Sequence, residues 1–449
     1  MKMAYLCSDK LKTIGMHSIH HEILRLALPS IISNITVPLL GLVDLTIVGH
    51  LGSEIYIGAI AVGTMIFNVL YWLLGFLRMG NSGMTSQAFG RRDGQAVRTI
   101  LVRSLLMATG MGVLFIVLQR PLCDVALWVM HPSAEIAAAA HTYFAICIWS
   151  APAVLALYAL NGWFVGLQTT KVPMFIALFQ NVVNILLSVG FVIVMHMKIE
   201  GVAWGTMLAQ WAGALLAAFL AYRKLHKQPL PQLPHKIALR WMDFFVVNRD
   251  IFLRTLFLVA VNLSFTSFGA RSGDVVLSAN TLLLTFFTLF SYVMDGFAFA
   301  GEALCGKSFG AANVQRFQTY VVQLMKWGLG MALLFSMVYF LGGRLLLRLL
   351  TNNESVLGMA AHFLGWVVLI PLAGFMAFVY DGVFIGATMT RHMLLSTLLS
   401  AAVFFATYAL LSSTLHNHAL WLAFILFLLT RGLVLQGLLP RIQHKIIAS

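Results

Sequence analysis

Long apolar runs, each near the roughly 20 residues that an α-helix needs to cross the hydrocarbon of a bilayer, recur from one end of this chain to the other. Inside hydrocarbon every backbone N–H and C=O must be satisfied within the structure, and runs of this length do that as helices. The hydropathy pattern predicts twelve spans, at 25–49, 58–80, 97–120, 136–158, 173–195, 200–222, 250–270, 277–300, 319–342, 356–379, 392–413 and 418–439. Composition agrees: 60% of the 449 residues are hydrophobic, 10% are charged, and the mean hydropathy is +0.89, which excludes a soluble fold. The fold class is an all-α polytopic membrane protein.

A formal charge of +14 raises nucleic acid as a partner, but no basic stripe with interleaved aromatics is present. Lys and Arg lie between the apolar runs instead. With the N-terminus inside, the inner segments hold Lys10, Arg91, Arg92, Lys171, Arg223, Lys307, Arg391 and Lys445 among others, whereas the outer ones hold Arg120, Lys198, Arg271, Arg344 and Arg348. That bias predicts an inner (plasma) membrane protein with both termini cytoplasmic. The polar lead-in before the first run has no cleavage site and reads as uncleaved. Cys7, Cys123, Cys147 and Cys305 are scattered and signal neither a disulfide framework nor a zinc site.

The basic, proline-containing stretch RKLHKQPLPQLPHK (223–236) divides the chain near its middle. A shift of 220 residues pairs QAFGRRDGQ (87–95) with KSFGAANVQ (307–315), and NGWFVGLQTTK (161–171) with DGVFIGATMTR (381–391). The expected organisation is a lead-in and six-helix bundle over 1–222, a linker over 223–249, and a second six-helix bundle with a short tail over 250–449. An even number of spans per copy makes the repeat parallel, an arrangement found in secondary transporters.

GEALCGKS (301–308) fits the pattern of a phosphate-binding loop. Such a loop needs a β-strand before it, whereas the run here is the end of a membrane helix, and its repeat partner NSGMTSQA (81–88) lacks the pattern. The match is a coincidence, Lys307 and the glycines marking a tight inner turn. The energy source is then an ion gradient.

Ionisable groups inside hydrocarbon are costly and point to function. Asp44 lies in the first run, six residues after Pro38, which removes a ladder hydrogen bond and favours a kink. Burial raises a carboxyl pKa, so proton uptake and release at opposite faces suits Asp44. Asn181, Asn184 and Ser188 form one polar stripe on the fifth span, able to coordinate a cation, to bond Asp44, or to glue helices together. Thr206 on the sixth span joins them. Asp295 and Glu302, seven residues apart, share a face of the eighth span and are candidates for a cationic substrate, with Asn34 beside them as a cavity residue. Glu302 has the alternative of pairing with Lys307 or Arg391. Asn161 and Asp381 occupy equivalent inner-loop positions, where Asp381 would cap a helix or pair with Arg391. HSIHH (17–21) and HNH (416–418) read as solvated ends rather than metal sites. No Arg or Lys is expected deep in any span.

GLVDLTIVGHLG (41–52), NGWFVGLQTTKVP (161–173), NVVNILLSVGFVI (181–193), DGFAFAGEALCGKSFGAAN (295–313) and VYDGVFIGATMTR (379–391) resemble the multidrug and toxic compound extrusion (MATE) transporters. The last two runs resemble their DNA-damage-inducible, DinF-type branch. The resemblance covers about 22–440. It implies two six-helix bundles around a V-shaped cavity and export by alternating access driven by H⁺ or Na⁺. It further implies an essential first-helix aspartate at Asp44, with Asn184 and Thr206 as its partners; a Na⁺ ion would sit at Asp44, Asn184 and Thr206. Relatives usually carry a second aspartate where this chain has Ser188, and the lost charge weakens a Na⁺ site and favours H⁺.

The reading is an antiporter exporting amphipathic, cationic organic compounds in exchange for protons, with no cofactor, acting as a monomer in the lipid bilayer. The rivals are a Na⁺-coupled drug antiporter, a flippase of lipid-linked precursors, a major-facilitator transporter and an intramembrane enzyme. The flippase would need a strongly basic cavity. The facilitator loop motif is only dimly echoed by SQAFGRRDG, and nothing pairs a nucleophile or metal set with a base.

Overall fold

A computed structural model describes residues 18–36, 46–47, 54–227 and 241–448. The described residues form helices α1 (18–36), α2 (Glu54–Leu73), α3 (Phe76–Gly90), α4 (Gly94–Val117), α5 (Gln119–Met130), α6 (Ala134–Cys147), α7 (Ala151–Gly166), α8 (Lys171–Val189), α9 (Ile199–Lys227), α10 (Trp241–Ala270), α11 (Asp274–Gly310), α12 (Val314–Leu350), α13 (Glu354–Gly386), α14 (Thr390–Leu415) and α15 (Asn417–Ala448). No strand occurs among them. Eleven stretches after α1 are long and apolar enough to cross a membrane, α2 with α3 and α6 with α7 each making one of them. Pro38 and Asp44 lie outside the described residues.

The chain divides into two compact units, Ile32–Phe244 and Phe245–Ser449 together with Met1–Ile31, of which 18–31 are described. The expected boundary put the whole first helix with the N-terminal bundle. Residues 18–31 pack instead within the second unit, for reasons visible in their side chains. The Glu22 carboxylate accepts from Arg316 Nη2 at 3.2 Å and from the Tyr320 hydroxyl. His20 Nδ1 accepts the Trp327 indole N–H at 3.0 Å, so the HSIHH stretch is partly helical and partnered rather than a solvated end. Gly296 lets α1 approach α11: a Cβ there would stand 2.3 Å from Ile31 Cγ1.

The 220-residue repeat has a physical basis in two turns. α3 and α11 end in a left-handed residue, Arg92 (φ 59°) and Ala312 (φ 53°). Each is followed by a capping side chain: Asp93 Oδ1 accepts from Ala96 N at 2.9 Å, and Asn313 Oδ1 from Arg316 N at 2.8 Å. The second turn repeats the left-handed residue, at Gln168 (φ 59°) and Thr388 (φ 51°), without a side-chain cap on the helix that follows.

Between these turns each copy holds a G-x-x-x-G crossing, where missing side chains let backbones touch. A Cβ on Gly162 would meet the Arg78 carbonyl oxygen at 2.2 Å, and one on Gly382 the Ala298 carbonyl oxygen at 2.2 Å. Gly166 and Gly386 repeat the approach one turn on, against Ser82 O and Glu302 O at 2.8 Å each. The phosphate-loop look-alike therefore lies inside α11 and packs on α13. Its Glu302, Gly306 and Ser308 are buried, and the expected tight turn at Lys307 is displaced to Ala311–Asn313.

At 81–90 and 301–310 the helices overrun the expected spans through segments rich in small and polar residues. In α3 the Ser82 and Ser86 hydroxyls bond the carbonyls of Met79 and Gly83, at 3.0 and 2.9 Å, so the segment is buried although its hydropathy is low. Each unit has its own aromatic core. Trp163, Phe164 and Ile100 fill the first, with the Trp163 indole N–H on the Val97 carbonyl at 3.1 Å. Phe286, Phe290, Tyr339 and Trp421 are fully buried in the second.

Candidate functional site

The polar stripe on α8 forms in the first unit as its spacing requires. Asn184 and Ser188 are fully buried, and Asn181 is half-buried. Asn184 Nδ2 donates to Thr206 Oγ1 on α9 at 3.0 Å. Asn181 Nδ2 donates to the Thr36 carbonyl at 3.0 Å, tying α8 to the last described turn of the first helix, which also carries the half-buried Asn34. Gly205 permits the α8–α9 contact, since a Cβ there would lie 2.4 Å from Ser188 Oγ.

Two oxygens of this cluster, Asn184 Oδ1 and Ser188 Oγ, are buried without a hydrogen-bond partner among the described residues. A buried polar atom left unpaired costs about 1–3 kcal/mol, and a fold tolerates that chiefly where the atom has a task. Asn184 Oδ1, Ser188 Oγ and Thr206 Oγ1 are neutral oxygens, suited to accept a proton-bearing group or to ligate a hard cation. Of the expected site residues, the structure brings together Asn181, Asn184, Ser188 and Thr206; it does not describe Asp44 and Pro38.

The second unit holds a charged cluster that sequence reasoning missed. Asp381 lies in α13, not in a loop, and its Oδ2 accepts from Arg254 Nη2 of α10 and from Arg431 Nη2 of α15. Its partners are therefore these two arginines and not Arg391. All three residues are at most 7% exposed, which overturns the expectation that no basic residue lies deep in a span. Asn161 likewise sits in a helix, α7, and its Oδ1 is buried without a hydrogen-bond partner among the described residues. The available signal was the charge itself: Arg254 falls inside the predicted 250–270 span and Arg431 inside 418–439. One turn before Arg254, the buried Asp250 accepts from Arg249 at 2.9 Å and from Thr390 Oγ1 at 3.2 Å.

Asp295 and Glu302 do not share an environment. Glu302 is 1% exposed, packed into the α11–α13 contact. Asp295 is half-buried, and its charge acts favourably on Arg254. The HNH stretch also departs from a solvated loop: Asn417 is buried, bonded both ways to Asn280 at 2.8 and 3.0 Å, and His418 Nδ1 accepts from the Trp366 indole at 2.9 Å. Among the described residues no group of three His, Cys, Asp or Glu is placed to hold a metal ion.

The duplicated helical chain has counterparts among known proteins. The MatE family model matches residues 29–189 and 251–411, once per repeat. The chain belongs to the MatE family. It is similar to DNA damage-inducible protein F of Escherichia coli (strain K12), 39% identical over 420 residues that cover 93% of this chain and 91% of that protein. It is also similar to the probable multidrug resistance protein NorM of Thermotoga maritima, 23% identical over 354 residues, 76% of this chain and 74% of that one. A crystal structure of MATE in the bent conformation shares the fold with a TM-score of 0.86 at 18% identity, over 96% of this chain and 97% of the other. MatE membership makes this chain a membrane transporter of small molecules rather than an enzyme. As in its relatives, no cofactor is required.

Proposed function

We propose that this MatE transporter is a proton-coupled antiporter of the inner membrane, both termini cytoplasmic, that exports amphipathic organic compounds as a monomer by alternating access. The observation that carries the coupling ion is the pair of buried oxygens Asn184 Oδ1 and Ser188 Oγ, without a hydrogen-bond partner among the described residues, on a helix bonded to the last described turn of α1, which precedes Asp44 in the sequence. Ser188 is neutral, so this half of the site offers dipoles and no second charge. A proton on Asp44 needs hydrogen-bond partners of that kind, whereas a Na⁺ site gains most from a second carboxylate. Asp44 binds H⁺ from outside, the N-terminal helices rearrange, substrate leaves, and deprotonation toward the cytoplasm resets the cycle. A shift of two or three pKa units between the two states corresponds to about 3–4 kcal/mol, enough to bias the exchange.

Export of drug-like compounds draws support from the multidrug resistance description of the NorM relative. Preference for cations rests on Asp44 and the half-buried Asp295, because Glu302 is sealed between helices. Against a flippase of lipid-linked precursors, the argument changes form: buried arginines exist, but Arg254 and Arg431 are both engaged by Asp381 and are not free for a pyrophosphate. The test reconstitutes the full chain in proteoliposomes and follows efflux of a fluorescent organic cation under a pH gradient and, separately, a Na⁺ gradient. The proposal expects efflux with the first alone; efflux with Na⁺ alone would sink it.

A further inference from the structure

We propose that the second unit carries a binding pocket for a phosphate-bearing amphiphile, at the end of its bundle where α10 turns into α11 and α14 into α15. A cavity of about 680 Å³ opens there, within the size range of small-molecule sites. Its lining pairs four basic side chains, Arg271, His362, His416 and His418, with apolar groups such as Met359 and Phe363. None of the lining residues is acidic. The nearest carboxylates by sequence, Asp274 and Glu354, open α11 and α13 and are not part of the lining. Such a wall supplies donors and positive charge to an anion while offering carbon to its tail.

The pocket is held in shape before any ligand arrives. Trp366 donates to His418 Nδ1, which leaves Nε2 of the neutral ring as the proton-bearing donor. Between α14 and α15, His416 is kept at φ 47°, a conformation that costs a non-glycine residue energy. What holds it is the next residue: Asn417 is clamped by the reciprocal Asn280 pair, and Asn280 Oδ1 also takes the Trp421 indole N–H at 3.0 Å. Arg271 is kept near the mouth by stacking over Phe268, 5.1 Å from the ring centroid. Among the described residues these imidazoles are not part of any group of three His, Cys, Asp or Glu placed to hold a metal ion.

All these residues sit at or near the ends of membrane-crossing helices, the level at which lipid phosphates lie. Phosphate on an apolar tail is therefore the shared chemistry, whether it comes from a membrane lipid or from a soluble phosphate compound. The pocket is independent of the proton site in the other unit.

The test titrates the full chain, purified in phosphate-free maltoside micelles, with dihexanoylphosphatidylglycerol, with inorganic phosphate and with dihexanoylglycerol, followed by calorimetry. The lipid phosphate is expected to bind, and the exposed pair Arg271→Gln with His362→Gln to weaken it by about tenfold or more. Arg271→Lys, which keeps the charge, should stay within about threefold. Binding of inorganic phosphate with the same sensitivity to the pair would support a soluble ligand, and its absence a lipid one. Equal binding of the phosphate-free dihexanoylglycerol, undiminished binding by the double variant, or no binding of either phosphate compound would overturn the pocket.

Discussion

The two copies of the repeat spend their buried polarity differently. Among the described residues of the first unit it is neutral: Asn81 Nδ2 reaches Ser104 Oγ at 3.0 Å, and Asn184 reaches Thr206. At the positions 220 residues on, Gly301 faces Leu324, with 3.5 Å from a built Cβ to Leu324 Cδ1, while Asn184 and Ser188 become Phe404 and Tyr408. The exchange runs the other way at Asn34 and Asn161, whose equivalents are Arg254 and Asp381. A neutral network can gain or lose a proton-bearing partner without stranding a charge. A carboxylate that accepts from two buried guanidiniums is held in place as their shared counter-charge, and removing it would leave both arginines uncompensated. The duplication thus supplies one adaptable half and one locked half.

That contrast can be broken by substitution, and the largest effect belongs to the locked half. Asp381→Asn leaves two buried guanidiniums without their counter-charge and is expected to destabilise the protein by about 3–5 kcal/mol in denaturant unfolding. Replacing Arg254, Asp381 and Arg431 together by Met, Leu and Met should restore most of that loss; a triple variant as unstable as the single one would show that the cluster does more than balance charge. Next come the two crossings. Gly162→Ala and Gly382→Ala each push a methyl onto backbone and should cost about 1–3 kcal/mol, equally in both copies because this part of the repeat is preserved. The smallest stability effect falls in the adaptable half: Asn184→Ala should lower stability by no more than about 1 kcal/mol while slowing pH-driven efflux by on the order of tenfold. If stability and efflux fell together, the cluster would be structural glue. Ser188→Asp sharpens the point, since an added carboxylate should bring a Na⁺ dependence that the parent lacks.

Much of this fold was legible before any coordinate. Span length and the 220-residue repeat are patterns along the chain, and they correspond to helices and to turns and close crossings that recur in both copies. The Asn181–Asn184–Ser188 stripe was legible for the same reason, as helical spacing fixes which residues share a face. What escaped were contacts between segments remote in sequence. Arg254, Asp381 and Arg431 lie on three helices, and hydropathy averaged the arginines into their apolar surroundings. The attachment of 18–31 to the second unit depends on Glu22 meeting Arg316 and His20 meeting Trp327, 294 and 307 residues apart, which no window along the chain contains. Glu302 read as a candidate for substrate or for pairing with Lys307 or Arg391, because the glycines that bury it belong partly to another helix.

The central claim is that coupling resides in the adaptable half and uses a proton. Its most direct test is efflux from proteoliposomes holding either the parent chain or Asp44→Asn, driven by a pH gradient with Na⁺ absent and by a Na⁺ gradient at constant pH. The account predicts efflux by the parent under the pH gradient alone and none above background by Asp44→Asn under either. Parental rates in Asp44→Asn under the pH gradient would contradict it.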